Sequence, residues 1–263
     1  MNYQRIKGII IQNLFYLKHS LEDIADTFFW SSLDVVVWGF MTIYFTQLKG
    51  PISEIILFLM GGLILWNVAW RSQQDISVSF LKNSWSRNLI NLFSTPLTIW
   101  EFSFATMILG IIKIILTLFI ASGIAFFLYS FNIFLLGFYL LPFFVSLLAF
   151  GWAAGIFITG LIIRFGTRIQ VFAWSLIVLF QPVSAVFYPV SVLPPFLQKI
   201  AWLLPTSHIF EGMREVLKSG RMPAEQIVLA FILNAIYLLI AVWFLAVMFE
   251  KARVKGRIAR AEI

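Results

Sequence analysis

Three carboxylates stand close together in LEDIADTF: Glu22, Asp23 and Asp26. Grouped acids can hold a divalent metal against a diphosphate, the chemistry of an intramembrane lipid-modifying enzyme. A second aspartate-rich motif is missing, and the cluster precedes an apolar run, so solvated interfacial charges account for it. Asp34 and Lys113 are different, because each is embedded in an apolar stretch, where a charge is costly and marks a functional candidate. Glu101 is separated from Lys113 in depth, so the two can pair only if Lys113 reaches toward the span end. Other chemistry is sparse. The chain has no cysteine, which excludes disulfides, thiolate metal sites and cysteine nucleophiles. His19 and His208 are far apart and form no ligand cluster. No GxSxG, HExxH or GxxxxGK(S/T) motif occurs, so the chain has neither a familiar hydrolase site nor a phosphate loop for ATP. No cofactor is expected on this chain, and it does not read as an enzyme.

The elements that must position these residues are membrane spans. The 263 residues are 61% hydrophobic and 12% charged, with a mean hydropathy of +0.93. A soluble domain would carry about 25% charge. Six apolar stretches predict spans over residues 28–46, 51–70, 102–129, 134–163, 169–187 and 227–249 of a single all-α membrane domain, 1–263. Each is near or above the roughly 20 residues a bilayer crossing requires. The N-terminus lacks an apolar core with a small-residue cleavage site and is not expected to be a signal peptide. The net charge of +7 follows from membrane topology rather than nucleic-acid binding. Thirteen of the 19 basic residues, including Lys251, Arg253, Lys255, Arg257 and Arg260 at the C-terminal end, fall on one side. Lys49, Lys199, Arg214, Lys218 and Arg221 fall on the other. Both termini are therefore expected in the cytoplasm.

Three segments read as helices that do not span. In 1–22, Tyr3, Ile6, Ile10, Leu14, Leu17 and Leu21 form a stripe that predicts an interfacial amphipathic helix; the alternative is an extension of the first span. In the cytoplasmic loop 71–100, Trp85, Leu89, Leu92 and Phe93 recur at helical spacing, Ser84 can cap the start and Pro96 bars continuation. Its apolar side needs lipid headgroups or another protein. In FYPVSVLPPFLQKIAWLLPTSHIFEGMREVL, residues 187–217, Pro194 and Pro195 start a helix and Pro205 breaks it. Ser207 can cap a second helix that ends near Gly220. Pieces of about 15–18 Å cannot cross a core of about 30 Å, so the pair reads as a re-entrant hairpin on the outer face. Glu211 with Arg214, and Glu215 with Lys218, are spaced to pair locally. Pro182 should kink the fifth span. Trp30, Trp38, Trp66, Trp70, Trp100 and Trp202 mostly fall near span ends, where an interfacial belt is expected. Gly151, Gly155 and Gly160 allow close helix packing.

In this order of elements the chain resembles the membrane subunit of an ABC-2 type exporter. The most specific match is the hairpin stretch, through Tyr188, Pro189, Leu193, Pro194, Leu197, Ile200, Pro205, Thr206 and Ser207. Ser94, Thr95, Pro96 and Leu97 before the third span are similar to the family's loop. The resemblance implies a permease that moves a lipid-linked, glycan or hydrophobic substrate outward. It would work as a homodimer in the cell membrane, with two ATPase subunits carrying ATP and Mg. It implies a coupling helix at 84–95, engaging the ATPase through Trp85, Arg87, Leu89, Leu92, Phe93 and Pro96. A charge at Leu89 or Leu92 is expected to release that subunit. Spans one, two and five would line the pathway, with Trp30, Asp34, Trp38, Phe180, Gln181 and Ser184 as candidates. The hairpin, with Pro189, Pro194, Pro205, Glu211 and Arg214, would close its outer end. The rival readings are an ion-gradient-driven secondary transporter and, behind it, the lipid-modifying enzyme. The first would show related halves and mid-membrane ionisable groups, and no internal symmetry is visible.

Overall fold

The computed structural model describes residues 2–49 and 53–254, and all their regular structure is helical. Lys255, Arg257, Arg260 and the first two residues of the second expected span lie outside the described residues. Helix α1 (Tyr3–His19) is separate from α2 (Leu21–Lys49). The break falls at Ser20, whose Oγ accepts the Asp23 amide at 3.2 Å and so caps α2. On α1, Ile6 and Ile9 are buried against the bundle, while Tyr3, Leu14 and Phe15 are exposed.

Helix α3 (Ser53–Trp85) runs well beyond the expected span. Residues 71–85 contain no Gly or Pro, and Ile76, Phe80 and Leu81 keep an apolar face that is buried. The expected loop is therefore mostly helix, and Ser84 is buried inside α3 rather than capping a new helix. Trp66 is also interior, packed against Phe210 with ring centroids 6.3 Å apart, and takes no part in an interfacial belt. At Arg87 the backbone turns left-handed (φ 53). A short α4 (Leu89–Ser94) follows, and then α5 (Ile99–Tyr129), which opens on a capping box between Thr98 and Glu101.

A 3-10 segment, Ile133–Tyr139, leads into α6 (Leu140–Phe165). The expected fifth span is instead the ten-residue α7 (Val171–Phe180) and a 3-10 turn over Gln181–Val183. At about 15 Å, α7 covers half a bilayer core. Pro182 ends the helix rather than kinking it. The hairpin is α8 (Pro195–Ala201) and α9 (Pro205–Ser219), unequal in length. Pro205 does not break the first helix, which has already ended; it opens the second at the position where a missing N–H costs nothing. Gly220, left-handed at φ 64, closes α9 through its N–H to Val216 O at 2.8 Å. Helix α10 (Ala224–Val254) completes the chain. By length and composition, Ile99–Tyr129, Ile133–Ile169 and Ala224–Val254 are long and apolar enough to cross a membrane. Helices α2 and α3 are of comparable length, 29 and 33 residues.

Helix α3 sits at the centre, packed on α2, α5, α6, α7 and α9. Its contact with α6 depends on glycines. A Cβ on Gly151 would stand 2.4 Å from Ala69 O, and one on Gly155 2.8 Å from Gln73 O. Both are backbone atoms that cannot swing aside. Gly151→Ala is therefore expected to destabilise the fold by about 1–3 kcal/mol, as overpacking does. Gly123→Ala, where a Cβ meets nothing within 4 Å, should leave it unchanged or slightly more stable. Thermal unfolding midpoints in detergent check the pair.

Candidate functional site

The hairpin end is built around two side chains of α9. The Arg214 guanidinium reaches back to the turn after α7, where Nη2 donates to the carbonyls of Ala185, Val186 (3.4 Å) and Tyr188 (3.0 Å). Glu211 Oε1 accepts the Val190 amide at 2.6 Å and lies 3.5 Å from Arg214 Nη1. The turn needs this grip because Ala185 is left-handed (φ 57) and its carbonyls have no helix to bond to. Burial pulls the Arg214 pKa below its ordinary value, and the Glu211 carboxylate opposes that shift. Thr206 Oγ1 donates to Ser184 Oγ at 2.9 Å, and Ser207 Oγ donates to Val183 O at 3.0 Å. Ser207 is thus spent on the turn and not on a helix cap. The expected Glu211–Arg214 pair forms, but it holds a neighbouring segment rather than only neutralising its own helix. No ion pair joins Glu215 and Lys218 among the described residues; Lys218 lies over the Phe58 ring, 5.6 Å from its centroid.

The pathway candidates separate in space. Trp38 stacks on Phe187 of this turn, 4.6 Å between centroids at 16°. Ser184 is fully buried and donates to Phe180 O at 2.7 Å, so in this conformation it fastens α7 to α9 and faces no open pathway. Phe180 packs edge-on to Phe150 of α6. Gln181 opens the 3-10 turn, and its carbonyl accepts the Ser184 amide. Trp30 is exposed on α2, and Asp34 is partly buried there. Of the hairpin prolines, Pro189 and Pro194 are exposed and Pro205 is buried. A cavity of about 750 Å³ lies beside Glu211 and Arg214, with Phe187 and Trp202 in its wall.

At the opposite end the expected 84–95 helix resolves into the last turn of α3, a left-handed link and the six-residue α4. Its apolar side is not offered to a partner. Leu89 is 0% exposed, and Leu92 and Phe93 pack with Phe102 and Phe249 of the same chain. The outward face carries Ile90, 44% exposed, among Arg87, Asn91, Ser94, Thr95 and Pro96. Trp85, 49% exposed, ends α3 and donates through Nε1 to Gln170 Oε1 at 3.2 Å. Arg5 of α1 donates to Pro96 O, and the Asn2 amide donates to Glu101 Oε1 at 2.7 Å. These bonds tie the N-terminal helix to both ends of the 95–101 link.

Between the two ends lies a charged seam that the sequence reading missed. Lys113 does not reach Glu101; its Nζ meets Asp75 Oδ1 at 3.1 Å. Lys82 pairs with Asp23. Arg71 is 6% exposed and donates to Ser31 Oγ and Gln74 Oε1, each at 3.3 Å. Of the acidic cluster, Asp23 is therefore drawn into an ion pair across α2 and α3, both partners remaining partly exposed. Among the described residues no group of acids and histidines is placed to hold a metal ion. The signal available in the sequence was RSQQD, where Arg71 and Asp75 stand one helical turn apart and continue the preceding span.

The sequence matches the family model for ABC-2 type transporters over residues 23–218. The chain belongs to that family. No curated protein matches it. The match spans α2 to α9, so this ABC-2 permease carries both the grip on the 185–188 turn and the α3–α4–α5 link within the family's own domain. The chain is a membrane-embedded transport component. Arg214→Ala should free the 185–188 carbonyls, leave Glu211 uncompensated and destabilise the turn by about 3–5 kcal/mol. Arg214→Lys should rescue little, because an ammonium lacks the planar fork. The cysteine-free chain supplies the readout. Val186→Cys, buried in the parent, should react with maleimide much faster in the Arg214→Ala background.

Proposed function

We propose that this chain is the permease subunit of an ATP-driven exporter that works as a homodimer with two separate ATPase subunits. The observation that carries the reading is the family match over α2–α9, on a chain whose sequence holds no phosphate loop. In this reading α2, α3, α5, α6 and α10 make five passes, and a sixth is pieced together from the 3-10 turn Gly166–Ile169, α7, the 3-10 turn Gln181–Val183 and the chain after it. Both termini and α4 are cytoplasmic, the hairpin α8–α9 is at the outer face, and the membrane is the cell membrane. The cargo is a lipid-linked, glycan or hydrophobic molecule. ATP and Mg are bound by the partner.

The packing of α4 supports a coupling role of a particular kind. A short helix whose apolar side is sunk in its own subunit cannot slide, so a push on its polar face passes to α3 and α5. Helix α3 then runs from that end to the hairpin end. One observation favours the ion-driven alternative: the buried Arg71 and the partly buried Asp75 and Lys113 are ionisable groups of the kind such carriers use. Nucleotide dependence separates the two.

The contact with the ATPase is assigned to the outward residues and not to Leu89 or Leu92. Arg87→Glu and Asn91→Glu are expected to cut co-purified ATPase subunit and permease-stimulated ATP hydrolysis by about tenfold or more, with the permease still monodisperse. Leu89→Asp should instead damage folding itself. Unchanged co-purification in both surface variants, or transport by the purified chain without nucleotide, would overturn the proposal.

A further inference from the structure

The charged seam encloses a cavity of about 250 Å³ between α1, α2, α3 and α5. That is far more than one water needs. Three carboxylates (Asp23, Asp26, Asp75) and three cations (Arg71, Lys82, Lys113) line it. Two pairs satisfy each other, Lys82 with Asp23 and Lys113 with Asp75. Arg71 and Asp26 are left. Neither forms an ion pair among the described residues, although both line the same cavity from facing helices. Arg71 is 6% exposed, and its Nη2 has no hydrogen-bond partner among the described residues. A buried guanidinium nitrogen with no acceptor is costly, and the cavity that Arg71 and Asp26 share has room for a ligand between them.

Charge balance selects the ligand. An anion would neutralise Arg71 but face three carboxylates, and a cation would do the reverse among three bases. A zwitterion satisfies both open positions and leaves the cavity neutral. The cavity also abuts α1, with Ile9, Gln12 and Leu17 in its wall. On the same helix Ile11, Leu14 and Phe15 are exposed, an apolar surface along which acyl chains can leave. We infer that this cavity binds the headgroup of a zwitterionic phospholipid from the leaflet on the α1 side, with its phosphate on Arg71 and its ammonium on Asp26.

The test uses the full-length permease in detergent, without ATPase, so its outcome is independent of the exporter reading. Native mass spectrometry follows retention of three probes: dihexanoyl phosphatidylethanolamine, dihexanoyl phosphatidylglycerol and free phosphoethanolamine. One phosphatidylethanolamine per chain is expected to be retained. Arg71→Gln and Asp26→Asn should each weaken retention by about tenfold, as loss of one charged hydrogen bond does. Gln12→Trp, which narrows the cavity and removes no charge, should displace the lipid as well and stands alone if a charge variant misfolds. Equal retention of phosphatidylglycerol would make this an anion site. Retention unchanged in Gln12→Trp and in the folded charge variants would leave only solvent in the cavity. Displacement of the lipid by phosphoethanolamine at equal concentration would make it a site for a soluble zwitterion. Each of these overturns the inference.

Discussion

The architecture rests on the close contact of α3 with α6. At Gly151 and Gly155 the α6 backbone comes so near that Ala69 O and Gln73 O of α3 would meet any added side chain. In an apolar surround there is little hydrophobic force between helices, so association depends on dispersion and on short backbone approach. Helix α3 gains the most from this, because it is then enclosed by five other helices. Everything with a functional reading is attached to that enclosed helix. The α4 link continues from one end, the Lys113 and Arg71 contacts branch from its middle, and Phe58 meets Lys218 of the hairpin at the other.

The buried charges are tolerable only because α3 is central. Asp75 can meet Lys113 of α5, and Lys82 can meet Asp23 of α2, because α5 and α2 flank the same helix. Breaking the Asp75–Lys113 pair leaves a largely buried charge uncompensated and costs about 3–5 kcal/mol, and breaking the more exposed Lys82–Asp23 pair costs less, whereas either intact pair adds little net stability. Such pairs therefore fix which helices are neighbours and at which depth, more than they strengthen the bundle. The Arg214 fork at the turn after α7 acts in the same way, replacing the helix that the 185–188 carbonyls lack.

Legibility followed the range of the interaction. The N-terminal helix, the proline-delimited hairpin and the end of α9 at Gly220 were readable, since local signals set them: a 3.6-residue stripe, prolines at first-turn positions and a glycine that accepts positive φ. The boundaries of the expected 84–95 helix were not. Trp85, Leu89, Leu92 and Phe93 share a spacing, but the left-handed backbone at Arg87 puts Trp85 on α3 and the others on α4. Nor could the stripe say what it faced, since it fits a partner protein, a headgroup layer or the chain's own core equally well. Pro182 was read as a kink because the apolar run continues past it; the turn is stabilised instead by Ser207 and Arg214, residues more than 20 positions away.

The sequence by itself determined that this is a helical membrane protein, that its residues hold no phosphate-loop motif, and that two short helices stand before the last long one. Composition and local periodicity suffice for that, because the bilayer demands apolar length and proline permits few backbone shapes. Only the tertiary structure decided that Lys113 belongs to Asp75, that Glu101 belongs to the N-terminal helix, and that Arg71 and Asp26 share a cavity without pairing. Those outcomes depend on which helices lie side by side and at what depth. A period of 3.6 residues names the face that is buried, and says nothing of the helix it is buried against.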